Sequence, residues 1–311
     1  MKKALVIGIN HYKTNALTGC VRDAEEIGNL LSRNEDNSPN FDCQIITSSE
    51  NAPVINDSYL EEKIGELFSD ESEMALLYFS GHGGSNRLGT YLIGQDGTKF
   101  NMSNIITFIQ ESKAKECVVL LDCCFSGGAG NLPQLNIEHI REGVSILAAC
   151  KGNQLAEEVV GGMGFFTSLV CDALRGSASD LLGRITATSV YAHVEPIFNA
   201  WEQRPLFKTH VSKSITLRRC NPHVDLQILR SLTDVFLKAD SHLKLDKSYE
   251  DTESKPNPNH KIFKNLQKCR ASGLVKPDKE DHMYDEAMAN GSCSLTPLGQ
   301  FYWRLAEAGR I

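Results

Sequence analysis

Over its first two-thirds the chain alternates between two kinds of segment. KALVIGI (3–9), CQIITS (43–48), MALLYFS (74–80), CVVLLDC (117–123) and VSILAAC (144–150) are short apolar runs, rich in β-branched residues and bounded by polar or glycine positions. Continuous runs of that length predict strands buried on both faces, as in a parallel sheet. Between them, apolar residues recur at helical spacing over Cys20–Ser32, Ser58–Phe68 and Ser103–Glu111, with Asp57 and Ser58 as caps of the second helix. Further helices are expected at Phe165–Leu174 and Ser189–Glu202, and a last strand at SKSITLRR (212–219). Strands alternating with helices predict a doubly wound, mostly parallel α/β sheet covered on both faces.

The pattern changes after Cys220. A helix is expected over Asp225–Leu243, followed by the polar stretch KSYEDTESKPNPNHK (247–261), whose charge, proline and asparagine mark a linker or exposed loop. A helix from Ile262 ends near Gly273, and Thr296 and Pro297 read as an N-cap with proline at the first position of a final helix. The chain therefore divides into residues 1–220 and an accessory module, 221–311, with the linker near 247–260. The module resembles a small α+β winged helix, a likeness of pattern alone. It lacks a dense Lys/Arg patch, which favours docking or regulation over DNA reading.

Composition narrows the picture by exclusion. The chain has 311 residues, 41% hydrophobic and 23% charged, which suits an ordinary globular protein with ample core. A net charge of −7 argues against a general nucleic-acid-binding surface. No apolar run approaches the roughly 18 residues of a membrane span. The opening MKKALVIGIN reads as a first strand rather than a signal peptide. Ten cysteines without framework spacing are expected to be reduced thiols, consistent with a cytoplasmic location. His193, His210 and His223 are scattered, no C-x-x-C occurs, and no metal site is expected from these residues.

Two strand ends carry reactive groups. MALLYFS runs into Gly81-His82-Gly83-Gly84, and VVLLD runs into Cys123-Cys124-Phe125-Ser126-Gly127-Gly128. In open α/β sheets, active groups gather beyond the carboxyl ends of the strands. A histidine between glycines has little crowding and a mobile backbone, and glycines after the cysteines let backbone N–H groups approach a carbonyl closely. A strand-end cysteine is usually a small buried hydrophobe, and a lone histidine among glycines usually a turn residue. Together, at two strand ends of one sheet, they make an acyl-transfer apparatus: thiol, base and oxyanion donors.

YFSGHGG (78–84) and LLDCCFSGG (120–128) are the two segments that carry a likeness. The pair resembles the histidine and cysteine motifs of the caspase/metacaspase superfamily of cysteine peptidases, peptidase family C14, in its metacaspase and bacterial caspase-like branch. Weaker matches extend it over about residues 1–218: KALVIGIN, ALTGCVRDA (16–24), YLIGQDG (91–97), SILAAC (145–150) and GFFTSLVCDAL (164–174). The resemblance implies a caspase-like fold and a Cys-His dyad. It makes Cys124 the nucleophile, with Cys123 its rival, and His82 the general base, and gives the oxyanion hole to the N–H groups of Gly83 and Cys124.

The resemblance also implies a substrate pocket for Arg or Lys built from Cys20, Asp23, Ser80 and Asp122. Two carboxylates there would pair with a guanidinium or ammonium and repel an acidic side chain. Arg22 stands near the position where animal caspases bind a substrate Asp, which leaves Asp-specific cleavage open as an alternative. Asp23 is also explained as a first-turn carboxylate favoured by the helix dipole. Many metacaspases need Ca²⁺. Here Asp96 has no acidic cluster beside it and no Asp soon follows Cys124, so no cofactor is expected.

Self-cleavage in the connection GGAGNLPQLNIEHIREG (127–143) would use Arg141, or Lys151 beyond the next strand, as against an uncleaved surface loop. The implied role is a regulated protease in bacterial defence or cell-death signalling. Its partners would be protein substrates and an activating protease or regulatory protein docked on 221–311, without membrane or nucleic acid. The alternatives are a caspase-like pseudoenzyme or adaptor acting through that module, and a nucleic-acid-binding role for the tail.

Overall fold

A computed structural model describes residues 1–49, 52–86, 89–126, 140–149, 158–159, 162–197, 205–250 and 257–311, at 124–126 and 158–159 by the backbone alone. They form two units: Met1–Ser179 with Arg184–Asn221, and Asp180–Gly183 with Pro222–Ile311.

The first unit begins β1 (Lys2–Gly8), α1 (Cys20–Ser32), β2 (Phe41–Thr47), α2 (Asp57–Ser69), β3 (Met74–Asn86), β4 (Gly89–Ile93), β5 (Lys99–Asn101), α3 (Met102–Glu111), β6 (Glu116–Ser126) and β7 (Val144–Ala148). It continues with β8 (Glu158–Val159), β9 (Met163–Gly164), α4 (Phe165–Asp172), β10 (Arg184–Ile185), α5 (Ala187–Val194), β11 (Leu206–His210) and β12 (Arg218–Arg219). The central sheet has the order β11-β7-β6-β3-β1-β2, with β4 beside β3 and β5 beside β4. Strands β2, β1, β3, β6 and β7 are parallel, whereas β11 runs antiparallel to β7 and β4 antiparallel to β3.

Strand alternation sorts the apolar runs into two cores. Leu5, Ile7, Leu77, Phe79, Val119 and Leu121 pack with α2 and α3. Val6, Leu76, Tyr78, Val118 and Leu120 pack on the opposite face with α1, α4 and α5. Both faces are covered, which is why the strands read as unbroken apolar runs.

The site's position follows from strand lengths. Pairing between β1 and β3 ends at Gly8–Ser80, and pairing between β6 and β7 ends at Leu121–Ala148. Strands β3 and β6 continue side by side to Gly84 and Ser126, a tongue beyond the carboxyl edge that β4 flanks from Gly83 on. The chain passes from β1 to β2 on one side and to β3, β6 and β7 on the other, so strand order reverses between β1 and β3, where such sheets open a crevice.

Several expectations need correction. Gly81–Gly84 is paired strand rather than mobile loop. The strand expected over 212–219 is confined to Arg218–Arg219, paired with β10, and the sheet ends instead in β11. That edge strand, LFKTH, is half-buried along most of its length and carries no apolar run to betray it. Asn56, not Asp57 or Ser58, caps α2, accepting from the Tyr59 N–H at 2.9 Å. Helix α4 passes at Ala173 into a π-turn that ends at Ser177, with Gly176 at φ +127°. Helix α5 starts two residues earlier than expected and gives way at Glu195 to a 3₁₀ turn containing Pro196, which has no N–H for the helical ladder. Residues 198–202 of that expectation lie outside the described residues.

The second unit contains α6 (Leu226–Val235), β13 (His242–Lys244), α7 (Pro258–Ala271), β14 (Val275–Pro277), α8 (Met283–Met288), β15 (Ser292–Leu295) and α9 (Pro297–Glu307). Its antiparallel sheet has the order β13-β15-β14. Its own core includes Leu229, Phe236, Phe263, Leu266 and Trp303, and the indole N–H of Trp303 donates to the Phe236 carbonyl at 2.8 Å. The helix expected to reach Leu243 stops at Val235 and a strand follows. The expected linker is partly ordered: Lys247–Tyr249 is a 3₁₀ turn capped by Asp246, and α7 starts at Pro258; 251–256 lie outside the described residues. Thr296 caps α9, accepting from the Gly299 N–H at 3.1 Å, with Pro297 at its first position. Among the described residues no helix is long and apolar enough to cross a membrane.

Candidate active site

On the tongue, Ser80 pairs in register with Asp122, His82 with Cys124, and Gly83 with Phe125. Gly83 also pairs with Leu92 of β4 on its other side. Cys123 is 2% exposed and belongs to the core on the α2/α3 face. Strand alternation places Asp122, Ser80 and His82 on the opposite face.

His82 is half-buried and is held by the loop between β1 and α1. Its backbone N–H donates to the Tyr12 hydroxyl at 2.8 Å, and the two rings lie 4.5 Å apart, tilted by 53°. Its Nε2 is 2.6 Å from the Asn15 carbonyl oxygen. A carbonyl only accepts, so Nε2 carries a proton and Nδ1 is the position left to gain or lose one. Asn10 braces the loop: its Nδ2 donates to the Thr18 carbonyl at 2.9 Å, and its Oδ1 accepts from the Val21 N–H at 3.1 Å. Asn15 sits at φ +57°, a conformation asparagine tolerates better than most residues. A Cβ on Gly81 would collide with the Tyr12 hydroxyl, so that contact requires glycine there. Burial drives the Tyr12 phenol pKa far up, and the group stays neutral.

Two residues back along β6, Asp122 meets a second carboxylate, Asp23, supplied by α1. Asp23 is 2% exposed and Asp122 is 5% exposed. Ser80 Oγ donates to Asp23 Oδ2 at 2.9 Å, and the Gly164 N–H donates to Asp23 Oδ1 at 2.9 Å. Asp122 Oδ2 accepts from Thr167 Oγ1 at 2.6 Å and from the Thr167 N–H at 3.3 Å. The two side chains converge: a Cβ built on Gly164 would lie 2.6 Å from Asp122 Oδ2 and 3.1 Å from Asp23 Oδ2. Only glycine lets the backbone come this close. Hydrogen-bond donors offset the cost of burying two like charges. Cys20 is half-buried one turn before Asp23, and Arg22 is exposed.

The remaining candidates fall elsewhere. The guanidinium of Arg141 donates to the carbonyls of Ile109 and Ala114, each at 2.8 Å, and of Glu142 at 2.9 Å, and reaches Cys117 Sγ at 3.0 Å. Cutting after Arg141 would require pulling it out of all four, so its evident use is structural. Lys151, Cys150 and 127–139 of the connection lie outside the described residues. Asp96 accepts from Thr98 Oγ1 at 2.6 Å and from the Thr98 N–H at 3.1 Å, as a turn residue does. No group of three His, Cys, Asp or Glu that could hold a metal occurs among the described residues. His193 pairs with Asp172 and His210 with the Ile140 carbonyl. Burial pushes the thiols of Cys171 and Cys293 up to about 12 and that of Cys269 up to about 11, so these stay protonated and inert.

Sequence reasoning missed Tyr12, Asn15, Tyr78, Gly164 and Thr167. Tyr78 had a signal, since it alternates with Ser80 and His82 on one face of its strand. Thr167 had another, as a polar residue, with Ser168, inside the apolar run FFTSLV. Tyr12 and Asn15 had none, because a loop has no period.

The caspase-domain model of peptidase family C14 matches residues 1–216. No curated protein matches the sequence.

Proposed function

The chain belongs to the caspase-domain peptidases of family C14, and from that premise we propose that it is a cysteine endopeptidase cutting proteins after Arg or Lys, with Cys124 as nucleophile and His82 as base. His82 Nδ1 takes the thiol proton, and the sulfur attacks the scissile carbonyl carbon. The N–H groups of Gly83 and Cys124 meet the developing oxyanion. His82 then gives its proton to the leaving amine. Water, deprotonated by the same ring, hydrolyses the thioester and restores the thiol. The register of His82 against Cys124 supports this pairing, and the burial of Cys123 counts against that neighbour as nucleophile.

The observation that carries the specificity is the convergence of Asp23 on Asp122, which stands two residues before Cys124 on β6, roughly 7 Å at the usual rise per strand residue. A long cationic side chain seated beside the dyad reaches that pair, whereas an Asp side chain is too short and of the wrong sign. The exposure of Arg22 beside buried Asp23 counts against an acid-binding pocket. The fold needs no metal for this chemistry, and a reducing compartment would keep the thiol free. The second unit would serve as the regulatory or docking module of a protease held in check until needed.

A peptidyl acyloxymethyl ketone with Arg at its reactive end tests the assignment. It should alkylate Cys124, as mapped by mass spectrometry, and the Asp analogue should not. Labelling at Cys123, or preferential labelling by the Asp reagent, would overturn it.

A further inference from the structure

Behind the acidic pair lies a chain of hydroxyls that the reaction itself does not use. Tyr78 and Thr167 are both fully buried, with 0% exposure. The Tyr78 hydroxyl is 2.5 Å from Thr167 Oγ1, and Thr167 Oγ1 donates to Asp122 Oδ2. A hydroxyl has one proton, and that of Thr167 is committed to the carboxylate. Tyr78 must therefore be the donor in the first bond. The order is fixed: Tyr78 O–H to Thr167 Oγ1, then Thr167 O–H to Asp122 Oδ2. Burial, with the charges of Asp122 and Asp23 nearby, holds the Tyr78 pKa well above its ordinary value, so its proton stays in place to donate.

We propose that this relay makes the pocket select Arg over Lys, with Thr167 and Tyr78 acting as positioning residues through Asp122. The inference rests on the basic-pocket reading above. An ammonium is a compact charge that tolerates a carboxylate in many orientations, whereas a planar guanidinium gains its advantage only from acceptors held in a matching plane. Thr167 pins Asp122 Oδ2 through both its hydroxyl and its N–H, while Gly164 and Ser80 fix Asp23. Geometry of this kind gives discrimination between two cations rather than attraction for both. Freeing Asp122 to rotate would keep the charge and lose the plane.

The test compares kcat and KM on matched Arg and Lys peptides for the wild type, Thr167→Val, Thr167→Ser and Tyr78→Phe, with thermal melts as folding controls. The wild type should prefer Arg. Thr167→Val should raise KM for the Arg peptide about tenfold, the size of one hydrogen bond to a charged group. Its kcat should hold, and its Lys kinetics should change far less, so that the Arg/Lys ratio collapses. Thr167→Ser should keep the ratio, and Tyr78→Phe should lower it in the same direction by less. Should Thr167→Val fail to fold, Tyr78→Phe, which removes one oxygen and keeps the ring, decides the matter. An unchanged Arg/Lys ratio in the folded variants, or a wild type that cuts equally after both, overturns the relay and leaves the basic pocket standing. A wild type that cuts after neither overturns both.

Discussion

His82 is half-buried, tilted against a phenol and bonded through Nε2 to a backbone carbonyl, whereas Asp122, two residues away on the same tongue, and Asp23, brought to it by α1, are buried and held by hydroxyl and backbone donors from β3, β9 and α4. The difference matches what the proposed role of each group requires. A base has to change its charge in every turnover, so its partners must orient it without fixing its protonation state. An uncharged carbonyl and a neutral phenol do that. A recognition carboxylate has to keep one orientation, and several donors at fixed positions hold it there. The second region is thus built to be static and the first to be poised.

Removing the dyad should have the largest effect. His82→Ala should lower kcat by roughly 10²–10⁴-fold, the usual contribution of a positioned base, and Cys124→Ala by more. Neither should move the melting temperature much if the poised region carries little of the fold. Next, Asp122→Asn keeps the shape and removes the charge. It should lower kcat/KM for an Arg peptide by about 10²-fold, within the range for breaking a buried charge pair, and hardly affect a peptide with a neutral side chain there. A general loss across peptides would mean that Asp122 supports the fold rather than recognition.

Smaller effects follow. Tyr12→Phe keeps the ring against His82 but leaves its N–H without an acceptor, and kcat should fall about tenfold with KM unchanged. A rise in KM alone would break the division between the regions. Cys123→Ser places a hydroxyl in the α2/α3 core and should cost roughly 1–3 kcal/mol of stability in denaturant melts. Activity per folded molecule should persist, and its loss would reopen the choice between the two cysteines.

The parallel sheet was legible because burial on both faces leaves continuous apolar runs, and α1 because its apolar spacing is regular. The edge strand β11 was not, since an edge residue needs no apolar neighbour on each side. In the site, Asp23, Ser80, His82, Asp122 and Cys124 could be picked out from the two motifs and their flanking segments. Asp23, Ser80 and Asp122 do meet one another in space, and Cys124 meets His82 in register. The residues that hold them could not be read. Asn15 acts through its carbonyl, which every residue has, and Gly164 through what it lacks. Arg141 shows the converse, since its charge suggested a cleavage point and its side chain serves to tie backbone carbonyls together.

The most direct measurement is kcat/KM of the purified chain on four peptides differing only in the residue before the scissile bond: Arg, Lys, Asp and Gln. Turnover of the Arg and Lys peptides, none of the Asp peptide, and complete loss in Cys124→Ala is the predicted result. Preferential turnover of the Asp peptide, or turnover that survives Cys124→Ala, would contradict the account.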